Sequence, residues 1–369
     1  MIYLDHGATS FPKPRAVRKA AARAARTCAN PGRGGYAMAM AAAQQVFSCR
    51  EQAAELFSCQ PEQVVMTANC TQGLNMAIHS LFSKGNRVVI SGFEHNAVTR
   101  TLHGMGITPI IAGRKLFDWE NTLEEFEKAL QEKPDGAVFT QVSNVFGYIL
   151  PVAQMAAMCR EKGIPFILDA AQSAGRMEIN FEQLGAEFIA MPGHKGLLGP
   201  MGTGLLLCRR PAAPFYFGGT GSQSVSQEMP DFLPDGLEAG TVNVPGIAGL
   251  AEGIQLVRKL GPAAIGSREQ LLMEETARGL ENLGMQVFAG PHQAGTVSFL
   301  PQMDPQLAAD LLAEEEIALR AGLHCAPLAH ESAGTLDTGT VRVSFGFCSK
   351  LWETQALLRA VSKHLCRKV

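Results

Sequence analysis

The chain has 369 residues, 46% hydrophobic and 18% charged, with a formal net charge of −2. That length supports two domains with buried cores, and the near-neutral charge excludes the basic surface that nucleic acid or anionic lipid would require. Nine cysteines at scattered positions, an odd number with no CxxC pair, fit neither a disulfide framework nor a zinc site. Reduced thiols in a cytoplasmic protein without a metal are the expectation.

Taken in chain order, the N-terminus runs straight into MIYLDHGATS, and neither a signal peptide nor a membrane span is expected there or later. From about Pro14 to Leu56 two Ala-rich stretches read as helices. The first is opened by Pro14 at N1, where a missing N–H is tolerated, and ends near Asn30-Pro31-Gly32. GRGGY then reads as a loop. Short β-rich runs follow, QVVMTA, RVVIS, ITPIIA, GAVFTQV, IPFILD and EFIAM, separated mostly by amphipathic helical segments. This alternation is the α/β pattern. Thr122 with Glu125 predicts a capping box opening one of the intervening helices. After about Pro245 come two long helical stretches, the strands TVSFL, IALR and TVRVSF, and a final helix from about Ser349, which together read as a smaller α+β domain. With no linker between the domains, a cleft where they meet is the default site.

Two residues at strand ends carry the chemistry. IPFILDAAQSAG places Asp169 at the C-terminal end of an apolar strand, where open α/β sheets bind ligands; the plain alternative is an Asp capping the next helix. EFIAM runs into PGHKGLLGPMGTG and delivers Lys195 into a Gly-rich loop. A lysine desolvated there loses its proton and attacks an aldehyde, whereas an exposed lysine does neither. GxxxxGK[ST] is absent and the glycines of GPMGTG are in the wrong order for a dinucleotide fingerprint. Asp169 and Lys195 are two of the groups pyridoxal phosphate needs, the carboxylate to keep the ring nitrogen protonated and the amine to form a Schiff base. His95 in SGFEHNAV is a candidate for stacking on the ring, or else a solvated loop histidine. Cys70 and Thr71 in ANCTQGLN are candidates for a phosphate cradle at a helix N-terminus, or else ordinary capping residues.

The ordered set ANCTQGLN, EHNAV, QVSNVFG, DAAQSAG, GHKGLLGP, GGTGS, EAGTVN and RAGLHCAP resembles the class V aminotransferase family, and within it the cysteine desulfurases. The resemblance spans nearly the whole chain. It implies fold type I of the pyridoxal-phosphate enzymes, with a large mixed-sheet α/β domain and a smaller α+β C-terminal domain, working as a homodimer. The expected division is an N-terminal segment, 1–15, packed near the active site, a cofactor-binding domain, 16–245, and a C-terminal domain, 246–369. By resemblance Lys195 is the Schiff-base lysine, Asp169 the partner of the pyridine nitrogen, His95 the stacking residue and Gln172 a donor to the ring hydroxyl. Thr71, Cys70 and His194 hold the phosphate, and Thr220 in GGTGS reaches the phosphate of the neighbouring subunit. Asn144 lies near ring and substrate, Arg342 in VRVSFG clamps the α-carboxylate through its bidentate guanidinium, and Ala8 and Arg320 complete the substrate site.

Cys325 separates the subclasses, since a desulfurase also needs a thiolate to take the sulfur. Its setting, RAGLHCAP, resembles the second group of desulfurases, near the selenocysteine lyases; a buried inert cysteine is the alternative. His324 and Arg320 are expected to favour the thiolate by their charge. L-cysteine is the expected substrate, with L-selenocysteine a further one and a sulfur-acceptor protein as partner. An aminotransferase or another β- or γ-eliminating lyase on the same fold is the competing enzyme reading, and a cofactor-free scaffold the non-enzymatic one. Pro192, Gln72, Cys70, Leu323 and Cys348-Ser349 depart from the commoner family pattern, Pro192 where a hydroxyl residue often contacts the phosphate. His103 and His330 have no partners at metal-ligand spacing.

Overall fold

The computed structural model describes residues 1–32 and 34–366. Arg33 of the expected GRGGY loop and the last three residues of the 246–369 unit lie outside the described residues. The first elements are β1 (Ile2–Tyr3), α1 (Arg15–Thr27), α2 (Ala37–Phe57), β2 (Val64–Thr67), α3 (Cys70–Leu81), β3 (Arg87–Ser91), α4 (Asn96–Gly104), β4 (Thr108–Ala112), α5 (Trp119–Gln131), β5 (Gly136–Thr140), α6 (Val152–Glu161), β6 (Phe166–Asp169), α7 (Phe181–Leu184), β7 (Phe188–Pro192) and β8 (Gly204–Cys208). There follow α8 (Val244–Leu260), α9 (Pro262–Asn282), β9 (Gln286–Phe288), β10 (Thr296–Leu300), α10 (Pro305–Glu314), β11 (Ile317–Ala318), β12 (Arg320–Gly322), α11 (Pro327–Ala333), β13 (Thr340–Ser344) and α12 (Leu351–His364).

The apolar runs of β2, β5, β6, β7 and β8 are buried at every residue, as strands covered by helices on both faces must be. They form a seven-stranded sheet in the order β2-β8-β7-β6-β5-β3-β4, with β8 antiparallel to both neighbours and the other pairs parallel. Side chains alternate between two cores. Val64, Phe139, Leu168 and Leu207 enter one, with α2, α5, α6 and α8; Val65, Val138, Ile167 and Leu206 enter the other, with α3 and α4. Arg50 of α2 ties this layer to the loop after β8. It is ion-paired at 2.6 Å with Glu238, whose other oxygen accepts the Met66 amide of β2. Both side chains are buried, so removing one partner alone would cost about 3–5 kcal/mol.

The C-terminal part is an antiparallel sheet, β12-β13-β10-β9, covered by α9, α10 and α12. β1 pairs in parallel with β11 as a separate two-stranded sheet, and a bridge between Asp5 and Ser344 of β13 ties the chain's first residues to the four-stranded sheet. Helix α8 begins at Val244 and packs on α1 and α2, and its Ile247, Leu250 and Ile254 belong to the core of the large sheet.

Several local expectations are corrected. Pro14 is the N-cap of α1 rather than its N1 residue. Helix α5 is capped by Asp118, whose side chain accepts the Asn121 amide, so Thr122 is not the cap. Thr122 is buried with its hydroxyl on the Asp118 carbonyl and the Tyr148 hydroxyl, while Glu125 accepts the Gly113 amide instead. The run IALR divides into β11 and β12, and GLLLC supplies the additional strand β8. No helix among the described residues is long and apolar enough to cross a membrane.

Candidate active site

The C-terminal ends of β2, β3, β5, β6 and β7 share one edge of the large sheet, the edge at which such sheets bind ligands. Asp169 closes β6 there and is 3% exposed. Its Oδ1 accepts the Ala171 amide at 2.8 Å and the Cys70 thiol at 3.5 Å, and burial raises its pKa. Lys195 lies just beyond β7. Its loop packs backbone to backbone on the loop after Asp169: a Cβ on Gly196 would stand 2.2 Å from the Ala174 carbonyl oxygen, and one on Gly175 2.4 Å from that of Gly196. Only glycines permit that approach, which brings Lys195 and Asp169 into one cleft. Burial lowers the Lys195 ammonium to about 8, against the opposing pull of Cys70 and Asp169, and no ion pair holds it among the described residues.

Helix α3 starts at the cleft with Asn69 as N-cap, its side chain accepting the Gln72 amide. Gln72 answers by accepting the Ala68 amide at 2.6 Å, a contact made as well by an amide oxygen as by the more frequent glutamate. The Cys70 and Thr71 N–H groups are left for a ligand at the positive end of the helix. His95 caps α4, its Nδ1 accepting the Ala97 amide at 3.0 Å, which places the proton of the neutral ring on Nε2. Burial, helped by the Lys195 charge, lowers His95 to about 4, and His194 is lowered to about 4 for the same reasons. Both rings are neutral near pH 7.

The N-terminal residues reach the same place. Lys13 Nζ donates to the His194 carbonyl at 2.7 Å and to Ser10, and Gln172 Nε2 donates to the Gly7 carbonyl at 3.0 Å. Asp5 is paired with Arg342 Nη2, while Arg342 Nη1 donates to the Asn144 carbonyl at 2.9 Å. Arg342 is 2% exposed, and its buried Nε has no partner among the described residues. Beneath His95, the buried Glu94 accepts the Thr140 amide and the Ser91 hydroxyl, and burial pushes its carboxyl up to about 8.

Cys325 lies between β12 and α11, in a turn of Leu323–Ala326 closed by the Ala326 amide on the Leu323 carbonyl at 2.9 Å. His324 and Cys325, with φ of 49° and 57°, are both left-handed, the arrangement of a type I′ turn that normally takes Gly or Asn. Holding two other residues there costs roughly 1–2 kcal/mol each. Cys325 is exposed, while the other eight cysteines are buried or half-buried.

An inner cleft of about 520 Å³ is lined by Cys70, Thr71, His95, Asn144, Asp169, Gln172, Pro192, His194 and Lys195. Thr71, His95 and Ala97 also line an outer chamber of about 960 Å³, whose wall holds Cys325. Most of the expected residues thus converge. Arg342 stands behind Asn144 through the latter's carbonyl. Ala8, Arg320 and Thr220 lie outside both walls: Arg320 is on the outer side of Asp5 at 3.9 Å, and Thr220 is bonded to Ser222. The expectation that His324 charges the surroundings of Cys325 is corrected, because burial beside Arg342 lowers its pKa to about 2 and keeps the ring neutral. Asp5 and Glu94 were not anticipated; only their places in YLDHGATS and EHNAV marked them. Among the described residues no group of three or more His, Cys, Asp or Glu is placed to hold a metal ion.

Known proteins resemble this chain over nearly its whole length. A family model described as aminotransferase class-V matches residues 2–357. A probable cysteine desulfurase of Pyrococcus abyssi is 32% identical over 97% of this chain and 92% of its own length. One from Methanothermobacter thermautotrophicus is 30% identical over 96% and 92%. Among solved structures, the apo cysteine desulfurase of Thermococcus onnurineus NA1 superposes with a TM-score of 0.90 at 30% identity, covering 99% of this chain and 94% of the other. The cysteine desulfurase CsdA of Escherichia coli, in an S-sulfonic acid form, gives 0.84 at 26% identity over 98% and 94%.

Proposed function

The chain belongs to the class V aminotransferase family, and from that membership we propose that it is a cysteine desulfurase, moving the sulfur of L-cysteine onto Cys325 and releasing alanine with pyridoxal phosphate held at Lys195. The observation that carries the reading is a pair of adjoining clefts that share Thr71, His95 and Ala97 in their walls. Among the described residues, the inner one holds a lysine without an ionic partner and the buried Asp169, and the wall of the outer one holds the one exposed cysteine. Its fold is fold type I of the pyridoxal-phosphate enzymes.

The residues present suit that cofactor. The Cys70 and Thr71 amides at the α3 N-terminus are available to a phosphate, Oδ2 of Asp169 makes no hydrogen bond among the described residues, and the neutral His95 ring borders the space between. His194 and Gln172 would contribute from the opposite wall. Pyridoxal phosphate bound there would withdraw electrons from the substrate Cα and make its proton acidic.

Lys195 Nζ would receive that proton. By resemblance Arg342 would orient the substrate by its carboxylate; its guanidinium is held by Asp5 and the Asn144 carbonyl, and Asn144 itself borders the inner cleft. Cys325 Sγ then attacks the substrate sulfur. The Cβ–S bond breaks, an S–S bond forms on Cys325, and the electron pair left on carbon is protonated to give alanine. Selenocysteine would use the same contacts, and the persulfide would pass to an acceptor, which we take to be a protein. We read the chain as a homodimer, supported by Thr220 lying away from its own cleft and by the exposed Met38, Met40 and Phe47 of α2 with Phe217.

Incubation with cysteine and separately with selenocysteine tests the reading: alanine and the released chalcogen support it, whereas a keto acid with the cofactor left in its amine form supports transamination. With a pKa of about 8, about a tenth of Lys195 is neutral at pH 7, against a few parts in ten thousand for an ordinary lysine. The rate at which the apoprotein captures pyridoxal phosphate, followed by its visible absorbance, should therefore rise with pH and level off above about 8. A rate still climbing tenfold per unit at pH 9 would contradict this. Arg342→Lys keeps a positive charge opposite Asp5 but loses the planar fork; KM for cysteine should rise roughly 10- to 100-fold with a smaller change in kcat.

A further inference from the structure

We propose that the backbone N–H of Asn96 at the start of α4, together with the Asn144 side chain, forms a two-point clamp that fixes the position of the Cys325 thiol; the proposal rests on the desulfurase reading above. The turn that carries Cys325 places two non-glycine residues in left-handed conformations. Its own closing hydrogen bond, Ala326 to Leu323, does not enforce that choice, because turns of other types close in the same way. The additional restraint comes from the large domain. Asn144 Nδ2 donates to the His324 carbonyl at 2.7 Å, and the Asn96 amide donates to the Cys325 carbonyl at 2.7 Å.

The peptide groups on both sides of the Cys325 Cα are therefore held from the walls of the cleft. Asn96 is the first residue of α4, and its N–H is one of the donors that a helix leaves unpaired within itself. The first wall is in turn tied to the carboxylate-binding arginine, since Arg342 Nη1 holds the Asn144 carbonyl. The clamp thus sets the small-domain nucleophile against the groups that orient the substrate, and a misplacement of about 1 Å at such a site costs on the order of 100-fold in rate. Asn96 and Asn144 are positioning residues for the sulfur-transfer step.

Asn96→Pro tests this with one substitution. Proline is accepted at the first helical position, and His95, at φ −74° and ψ 154°, already has the extended geometry required before proline. The substitution deletes the donor to Cys325 and sets a ring carbon where the carbonyl oxygen approached. The holoenzyme variant should form alanine from cysteine with kcat lowered at least about 10-fold, KM within about twofold, and exchange of the cysteine Cα proton with deuterated water within about twofold. Alkylation of Cys325 by iodoacetamide, followed on its peptide, should be several-fold faster than in the unsubstituted protein. Asn96→Ala, which retains the N–H, should match the unsubstituted protein in all four.

Unchanged kcat and unchanged alkylation in Asn96→Pro would overturn the clamp. So would a loss of Cα exchange parallel to the loss in kcat, which would mean damage to the cleft itself. Alkylation needs neither substrate nor cofactor, so it judges the clamp even if the unsubstituted protein forms no alanine, the outcome that would defeat the desulfurase reading instead.

Discussion

Replacing Cys325 by alanine should lower alanine formation from cysteine by at least about 10³-fold while leaving Cα proton exchange within about threefold. The asymmetry follows from geometry. In the proposed mechanism Cα chemistry takes place in the inner cleft at Lys195, and Cys325 stands only in the wall of the outer chamber. Removing its sulfur deletes the acceptor of the Cβ–S bond and touches none of the groups that bind the substrate. The side chain is exposed, so the folded chain loses little packing and its thermal midpoint should hold. Exchange without alanine is the signature to look for. Loss of both would place Cys325 in the Cα chemistry, and loss of neither would make it a bystander.

Lys195→Ala should remove both. Exchange and alanine formation are each expected to fall at least about 10⁴-fold, because in the proposed mechanism one amine carries the cofactor and moves the proton. The visible band of the holoprotein should no longer be fixed to the chain by borohydride. Stability should move the other way: burial lowers the Lys195 ammonium to about 8 even against the pull of Asp169, so deleting it below that pH relieves a charge that Asp169 offsets only in part. An unchanged or higher thermal midpoint with activity abolished would separate a chemical role from a structural one. Retained exchange in this variant would assign the base elsewhere.

What was legible in the sequence depended on how local its cause was. Runs such as RVVIS and IPFILD were readable because strands buried on both faces are apolar without interruption, and Asp169 and Lys195 were readable because each follows such a run directly. β8 escaped because its apolar run continues out of the Gly-rich lysine loop and returns antiparallel, where no intervening helix marks it. The capping box at Thr122 failed for a related reason. Its residue types fit, but Asp118 four residues earlier captured the helix start and Thr122 went to the core.

Contacts between distant residues left no local signal. Asp5 pairs with Arg342 across 337 residues, and Asn144, expected only near ring and substrate, spends an amide hydrogen on the carbonyl of His324. His324 itself looked cationic from its place beside Cys325 and is neutral, because burial beside Arg342 disfavours its charged form. The residue types at the site were visible, whereas their protonation and what holds them in place required the fold.

The central claim is that sulfur leaves the substrate onto Cys325. It is tested most directly by one turnover of the holoprotein with cysteine in the absence of any reducing thiol, followed by peptide mass measurement and alanine analysis. The account predicts one sulfur atom added to the Cys325 peptide for each alanine released. Alanine formed with that peptide unmodified, or sulfur found on another cysteine while Cys325 stays bare, would contradict it.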